Sequence, residues 1–461
     1  MSEVICAIST PPGMGAIAVI RLSGEGSVAL VDAIFQAASG KKLETEASHT
    51  VHFGRISDGK ELLDEVLVTL FRGSRSFTGE ESVEISCHGS VYIQQRIMEL
   101  LISRGARMAA AGEFTRRAFR NGRFDLSQAE AVADLIASSS RASHRVAMNQ
   151  MRGGFARKLA ELRDRLLQFV SLIELELDFS EEDVEFANRE QLSLLTDTIE
   201  QEISRLAGSF RLGNAIKSGI PVAIIGETNA GKSTLLNLLL NEERAIVSDI
   251  HGTTRDVIED LVNIGGVTFR FIDTAGIRHT TDTIEAMGID RTYRKIEQAS
   301  VILWVIDLLT PQKQLESMAA TLIPRLTGKK VILLFNKADL VADSEKSAAL
   351  DLFPHLDANR LFISAKKGEN TEQLQQLLVE AAAMPEIAEE DVIVTNLRHL
   401  EALNRAHESI LRVQEGLAIG ITSDFLSQDI RECMFHLGEI TGQISNDEIL
   451  GNIFSKFCIG K

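Results

Sequence analysis

The sequence predicts a multi-domain chain of α/β and all-α parts, with a phosphate-loop α/β domain inserted into a discontinuous helical one. Three observations carry this expectation. A glycine-rich loop, "GETNAGKST", stands between an apolar strand and a helix near the middle of the chain. Long leucine- and alanine-rich stretches of helical period flank it on both sides. The opening residues instead mix short β-branched runs with a helical run, an α+β pattern.

Taken in order, residues 1–121 hold "AIAVIRLSG", "EVLVTLF" and "SVEISCHGS" as strands and "YIQQRIMELLISRG" as a helix. From Asp125 the period changes to long amphipathic helices without proline, so residues 122–215 form the first part of a helical domain. At "KSGIPVAIIGETNAGKSTLLNLLL" alternating strands and helices begin, and residues 216–384 form the inserted doubly wound domain. After Pro385 the long helices return in "NLRHLEALNRAHESILRVQEGL" and "SDFLSQDIRECMFHLGEITGQI". Residues 385–461 are thus the second part of the helical domain, expected to pack against the first.

Composition narrows the function classes. At 461 residues the chain suits about three domains. "MSEVICAIST" lacks the basic start and apolar core of a signal peptide. The most apolar runs, such as "VILWVIDLL", fall well short of the roughly 20 residues a bilayer needs, so no membrane role is expected. Cysteines 6, 87, 433 and 458 are scattered, which argues against a zinc site or disulfide framework and for a reducing cytoplasm. The net charge of −17 opposes a general nucleic-acid footprint. It is unevenly spread, however: Arg104 to Arg165 carries thirteen Lys/Arg against six Asp/Glu, while Ser171 to Phe210 carries eleven acidic residues against two Arg. Both stretches read as solvated helix faces, and the first also as a local basic surface.

Four ordered motifs specify the inserted domain. The loop fits Gly226, four residues including Asn229 and Ala230, then Gly231-Lys232-Ser233, with Thr234 following in the helix. Its backbone N–H groups close around phosphates at a helix N-terminus, Lys232 reaches the β- and γ-phosphates, and the Ser233 hydroxyl can ligate Mg²⁺. "DTAG" (Asp273, Thr274, Ala275, Gly276) ends a strand, placing Asp273 to hold a metal-bound water and Gly276 to meet the γ-phosphate. "NKAD" offers the Asp339 carboxylate to the guanine N–H groups, with Asn336 and the Lys337 stem flanking the base. "SAK" (Ser364, Ala365, Lys366) offers a backbone N–H to the guanine carbonyl. Together these imply GTP binding. After "DTAG" stands Ile277, where Ras-type enzymes carry a water-orienting glutamine. Asn229 and "SDIHGTTRD" (from Ser248) suggest a caged monovalent cation in an arginine finger's place, although Asn229 also reads as a simple loop-turn residue.

From end to end the chain resembles the MnmE (TrmE) family of tRNA-modification GTPases. The stretches that carry this are "STPPGMGAIAVIRLSG", "FTGEESVEISCHG", "GEFTRRAFRNGRFDLSQAEAVADLI", "ELELDFSEEDVEF", "GETNAGKST", "GTTRD", "GEITGQI" and "FCIGK". The resemblance implies an N-terminal folate-binding, aminomethyltransferase-like domain that makes a homodimer, and a Ras-like inserted G domain. It implies a heterotetramer with the flavoprotein MnmG, which binds FAD and NADH, and transfer of an aminomethyl or carboxymethylaminomethyl group to the wobble uridine of certain tRNAs. A 5-formyl- or methylene-tetrahydrofolate would supply the one-carbon unit. By motif, K⁺ falls to Asn229, Ser248, the Ile250 carbonyl and Thr253, and Mg²⁺ to Ser233 and Thr254. The loop residues Asp249, His251 and Gly252 join the GTP contacts. Glu285, with Lys232 and Asp273, serves catalysis, positioning the attacking water indirectly. Folate contacts fall on Arg21, Glu84, Lys461 and Arg123, the last where the family often has lysine.

A rival class is the regulatory GTPase switch of ribosome assembly, which shares such G domains. The first 120 residues and the tail weigh against it. In that tail Cys458 stands fourth from the end, yet Gly460 and Lys461 do not fit a prenylation box. The expectation is a long helix running through "NIFSKF", after which Gly460 turns the tail into the folate pocket. Cys458 reads as a packed or lining thiol, or as a catalytic thiolate.

Overall fold

The computed structural model describes residues 3–178, 189–243, 260–272, 293–383, 391–444, 447–455, 457, 458 and 460. They form two compact units. One comprises Met1–Ala133, Gln150–Gln201 and Ala402–Lys461; the other comprises Asp134–Asn149 and Glu202–Glu401.

The first unit is built on a seven-stranded sheet of order β3-β4-β5-β6-β2-β1-β7. Its strands are β1 (Ile5–Ile8), β2 (Ile17–Ser23), β3 (Phe35–Ala37), β4 (Thr50–Asp58), β5 (Glu61–Phe71), β6 (Ser82–His88) and β7 (Arg107–Met108). All pairs are antiparallel except β1 with β7. Strict alternation sends Val66, Val68 and Leu70 of β5, Val83 and Ile85 of β6, and Ile20 and Leu22 of β2 to one face. There they pack with Ile97 and Leu101 of the helix Val91–Ser103. The opposite face carries the aligned row Arg21, Glu84, Thr69 and Val51.

The helices of this unit show why their sequences read as amphipathic. On Gly154–Asp178, the buried residues Leu159, Leu162, Leu166, Val170 and Ile173 recur every three or four positions. They face Ser423–Thr441, which buries Leu426, Ile430, Cys433, Leu437 and Ile440 at the same spacing. Between these helices Arg163 Nε donates to the Met434 carbonyl at 3.1 Å, and burial lowers the pKa of that guanidinium. The end of the chain departs from expectation. Ser423–Thr441 stops at Gly442, whose left-handed φ of 79° closes the helix. The helix bearing "NIF" is a separate one of eight residues, Asp447–Phe454, so Phe457 lies beyond it. Phe454 packs with Leu126 and Ala129, flanked by Phe119 and Phe457.

The second unit holds a six-stranded sheet of order β13-β12-β11-β8-β10-β9. The strands are β8 (Ile220–Ile225), β9 (Asp260–Ile264), β10 (Val267–Phe271), β11 (Val301–Asp307), β12 (Lys330–Asn336) and β13 (Ala358–Phe362). Only β9 runs antiparallel to its neighbour. Because helices cover both faces, β8, β11 and β12 are apolar at nearly every position. Lys232–Glu243 and Thr371–Ala382 supply Leu235, Leu239, Leu374 and Leu378 to one side. Gln312–Leu322 supplies Leu315 and Ala319 to the other. On that side Trp304, fully buried, stacks on Phe353 with ring centroids 5.2 Å apart. The C-terminal ends of β8, β11 and β12 come together at one edge, where such sheets bind ligands.

Candidate functional site

The phosphate loop joins β8 to the helix Lys232–Glu243. Gly231 has a φ of 98°, and a Cβ there would come 2.1 Å from Asn336 Nδ2, so only glycine fits. Asn229 is exposed and left-handed, with a φ of 64°. Lys232 turns back over the loop, its ammonium donating to the carbonyls of Gly226 (2.8 Å) and Glu227. Burial pushes its pKa down to about 8; the nearby Lys295 charge adds to this and Glu227 opposes it. Ser233 and Thr234 occupy the first helical turn, where backbone N–H groups lack helical partners. This is a cradle for anionic oxygens.

The base side is assembled around Asn336 at the end of β12. Its buried amide donates from Nδ2 to the Ala230 carbonyl (2.7 Å) and accepts at Oδ1 from the Ala365 N–H (3.0 Å). One side chain therefore clasps the phosphate loop to the "SAK" loop. It also means that the Ala365 N–H is directed at Asn336. Lys337 follows in the left-handed region at φ 64° and pairs with Asp307 at the end of β11. Asp339 lies in the short turn Ala338–Leu340, 3.2 Å from Lys367 Nζ. The Ser364 hydroxyl, opposed by burial and helped by Lys367, holds its carboxyl below the usual range. Ser364 and Ala365 are buried and Lys366 is exposed.

A second cluster lies in the first unit. Arg21 and Glu84 face each other across β2 and β6, with Nε and Nη2 2.9 and 2.7 Å from Glu84 Oε1. The Arg21 guanidinium lies 5.2 Å from the Phe77 ring centre and 5.8 Å from that of Phe114. Arg123 is exposed, beside Gly79. The tail docks elsewhere in this unit: the Gly112 N–H, ahead of the helix Glu113–Arg120, points to the Cys458 carbonyl (3.5 Å), and the hydroxyl of Ser9, just after β1, donates to the Gly460 carbonyl (3.2 Å). Cys458 is exposed.

The structure thus brings Asn229 to Thr234 together with Asn336, Lys337, Asp339, Ser364, Ala365 and Lys366, and pairs Arg21 with Glu84. Ser248, Asp249, Ile250, His251, Gly252, Thr253, Thr254, Asp273, Thr274, Ala275, Gly276, Glu285 and Lys461 lie outside the described residues. Sequence reasoning missed Asp307, the Thr310 hydroxyl on the Glu227 carboxylate (3.2 Å), and the aromatic pair at Arg21. A charged residue closing the apolar run "VILWVID" was the available signal for Asp307. Among the described residues no cluster of three His, Cys, Asp or Glu could hold a metal, and no helix is long and apolar enough to cross a membrane.

Comparison with known proteins extends these observations along the whole chain. Residues 4–123 match the family model described as GTP-binding protein TrmE N-terminus, and residues 126–458 that described as MnmE helical domain. Relatives that match along the whole chain carry the name tRNA modification GTPase MnmE. That of Bacteroides thetaiotaomicron is 59% identical over 100% of this chain and 99% of its own. That of Parabacteroides distasonis is 57% identical over 100% of both. That of Flavobacterium johnsoniae is 52% identical over 100% of this chain and 99% of its own.

Proposed function

This chain belongs to the MnmE (TrmE) family of tRNA modification GTPases, and we propose that it is a K⁺-dependent GTPase working with the flavoprotein MnmG on the wobble uridine of certain tRNAs. It is a GTP hydrolase acting in tRNA modification, and the full-length match removes the ribosome-assembly switch as a rival. The Asn336 clasp carries the nucleotide reading, because it ties the phosphate loop to the loop of Ser364, whose hydroxyl bonds the Asp339 carboxylate that we assign to guanine.

Within the nucleotide cleft Lys232 exchanges its two carbonyl partners for β- and γ-phosphate oxygens, and the loop N–H groups receive the rest of the charge. Asp339 pairs with guanine N–H groups that adenine cannot present together. The Ser233 hydroxyl, in the first turn of its helix, suits Mg²⁺ as a hard oxygen donor, with Thr254 as the second ligand. The exposed Asn229 amide oxygen suits K⁺, with Ser248, the Ile250 carbonyl and Thr253. K⁺ supplies positive charge beside the phosphates where other enzymes place an arginine. Asp249, His251, Gly252, Thr274 and Ala275 are assigned as further GTP contacts, Asp273 to a metal-bound water and Gly276 to the γ-phosphate. Glu285 is assigned the indirect positioning of the attacking water, a task the apolar Ile277 cannot perform.

The one-carbon donor, a tetrahydrofolate derivative, is assigned to the first unit. Arg21 and Glu84 offer paired polar groups beside the Phe77 and Phe114 rings, a combination that suits a flat heterocycle with an exocyclic amine; Arg123 and Lys461 complete the set. Exposed Val51, Phe53 and Leu67 on β4 and β5, with Ile17 on β2, support homodimerisation through this sheet. We assign residues 1–121 to folate binding and dimerisation, 216–384 to the G domain, and the remainder to the helical domain, in a cytoplasmic heterotetramer with MnmG. GTP turnover measured in matched KCl and NaCl tests the cation: loss of one such electrostatic stabiliser should slow hydrolysis by roughly 10²–10³ in Na⁺. Equal rates would remove K⁺ from the mechanism.

A further inference from the structure

Asp307 closes β11 and belongs to none of the motifs that define the nucleotide site. Its carboxylate makes two contacts. Oδ1 accepts the Leu309 N–H at 3.0 Å, and Oδ2 forms an ion pair with the Lys337 ammonium. The pair is only partly wet, with 14% of the Asp307 side chain and 30% of the Lys337 side chain exposed. Three residues on, the Thr310 N–H donates to the Asp307 carbonyl at 3.0 Å. The Thr310 hydroxyl donates to the Glu227 carboxylate at 3.2 Å. A single four-residue turn therefore touches both halves of the cleft, the base loop through Lys337 and the phosphate loop through Glu227.

Lys337 needs such a hold. Its backbone sits in the left-handed region, and its four-carbon stem is free to sample many rotamers unless the ammonium is anchored. A stem that flanks a guanine ring must lie in one of them before the base arrives, or binding bears the cost of ordering it. We infer that Asp307 is a positioning residue for guanine-nucleotide binding: it holds the Lys337 ammonium so that the stem is already laid along the base site. Thr310 keeps the same turn in register with the phosphate loop. The inference rests on the reading of this cleft as a GTP site.

The test uses the full-length protein, a fluorescent guanosine diphosphate for dissociation rates, and steady-state GTP hydrolysis in KCl. Asp307→Ala should speed dissociation and raise KM by roughly tenfold, the lower range for a charge-assisted contact that solvent partly screens. Turnover at saturating GTP should stay within about twofold, because the lost contact acts on ground-state binding. Lys337→Met keeps the stem but not the charge, and in that background Asp307→Ala should add nothing. Asp307→Glu should recover part of the affinity. An unchanged dissociation rate in Asp307→Ala, or an effect that multiplies with that of Lys337→Met, overturns the inference. So does a lower melting temperature with reduced turnover that Asp307→Glu fails to rescue, since that is a scaffold defect. Failure of the unaltered protein to bind GTP would instead overturn the reading of the cleft.

Discussion

Lys232 shows how one residue reports its ligand before the ligand binds. Its ammonium is half-buried against carbonyl oxygens, with Lys295 close enough to repel it, and its pKa falls to about 8 from the ordinary 10.5. An unfolded chain keeps that proton up to about pH 10. The depressed value therefore costs the free protein stability below pH 8, and the cost fades as pH rises towards 10.5. A bound polyphosphate reverses the sign by giving the ammonium an anionic partner, so GTP binding should take up a proton, increasingly so from pH 7 to pH 9. Calorimetry in buffers of different ionisation enthalpy measures this directly; a flat dependence on buffer at pH 8.5 would contradict it. Much of this was legible in the sequence, because Lys232 stands at a fixed offset from Gly226 in a local motif. Asp307 was not. Its partner Lys337 is thirty residues away, and only the parallel pairing of β11 with β12 makes them neighbours.

Among elements, β2, β5, β6 and the helix Val91–Ser103 were legible because each shows one uninterrupted period. The end of the chain misled, since "GEITGQISNDEILGNIFSKF" carries apolar residues at helical spacing throughout. Gly442 decides the matter: its left-handed backbone packs against Leu126 and Phe119, where a Cβ would come within 2.8 and 2.9 Å. That contact is tertiary and leaves no trace in local periodicity. After the short helix that follows, the Cys458 carbonyl faces the Gly112 N–H and Gly460 lies against the end of β1. Gly460 has a φ of 97°, and a Cβ there would lie 2.4 Å from the Ile8 carbonyl. Gly460→Val should therefore dislodge the tail. The reduced-folate binding proposed for this unit should weaken by roughly tenfold or more, the factor that about 1.4 kcal/mol of strain supplies, and tRNA modification should fail with it. GTP hydrolysis should persist. Intact folate binding and modification in that variant would make the tail a bystander.

For the whole molecule, the notable property is that neither unit is a continuous stretch of chain. The first is assembled from three segments and the second from two, so the polypeptide passes between them at 133/134, 149/150, 201/202 and 401/402. Cores built this way pair residues far apart in sequence, as Arg163 with Met434 and Glu200 with His407 do within the first unit. Such contacts form late, after long loops close. The second unit contains the chain's single tryptophan, Trp304, buried on β11 against Phe353. Nature has thereby placed one fluorophore in one half of the protein. Its emission, blue while the indole is dry and red once water reaches it, follows the melting of the nucleotide-binding half alone, while circular dichroism follows the helices of both. If added GTP moves the fluorescence midpoint upwards but leaves a second dichroic transition in place, the halves melt independently; coincident curves would make them one cooperative body.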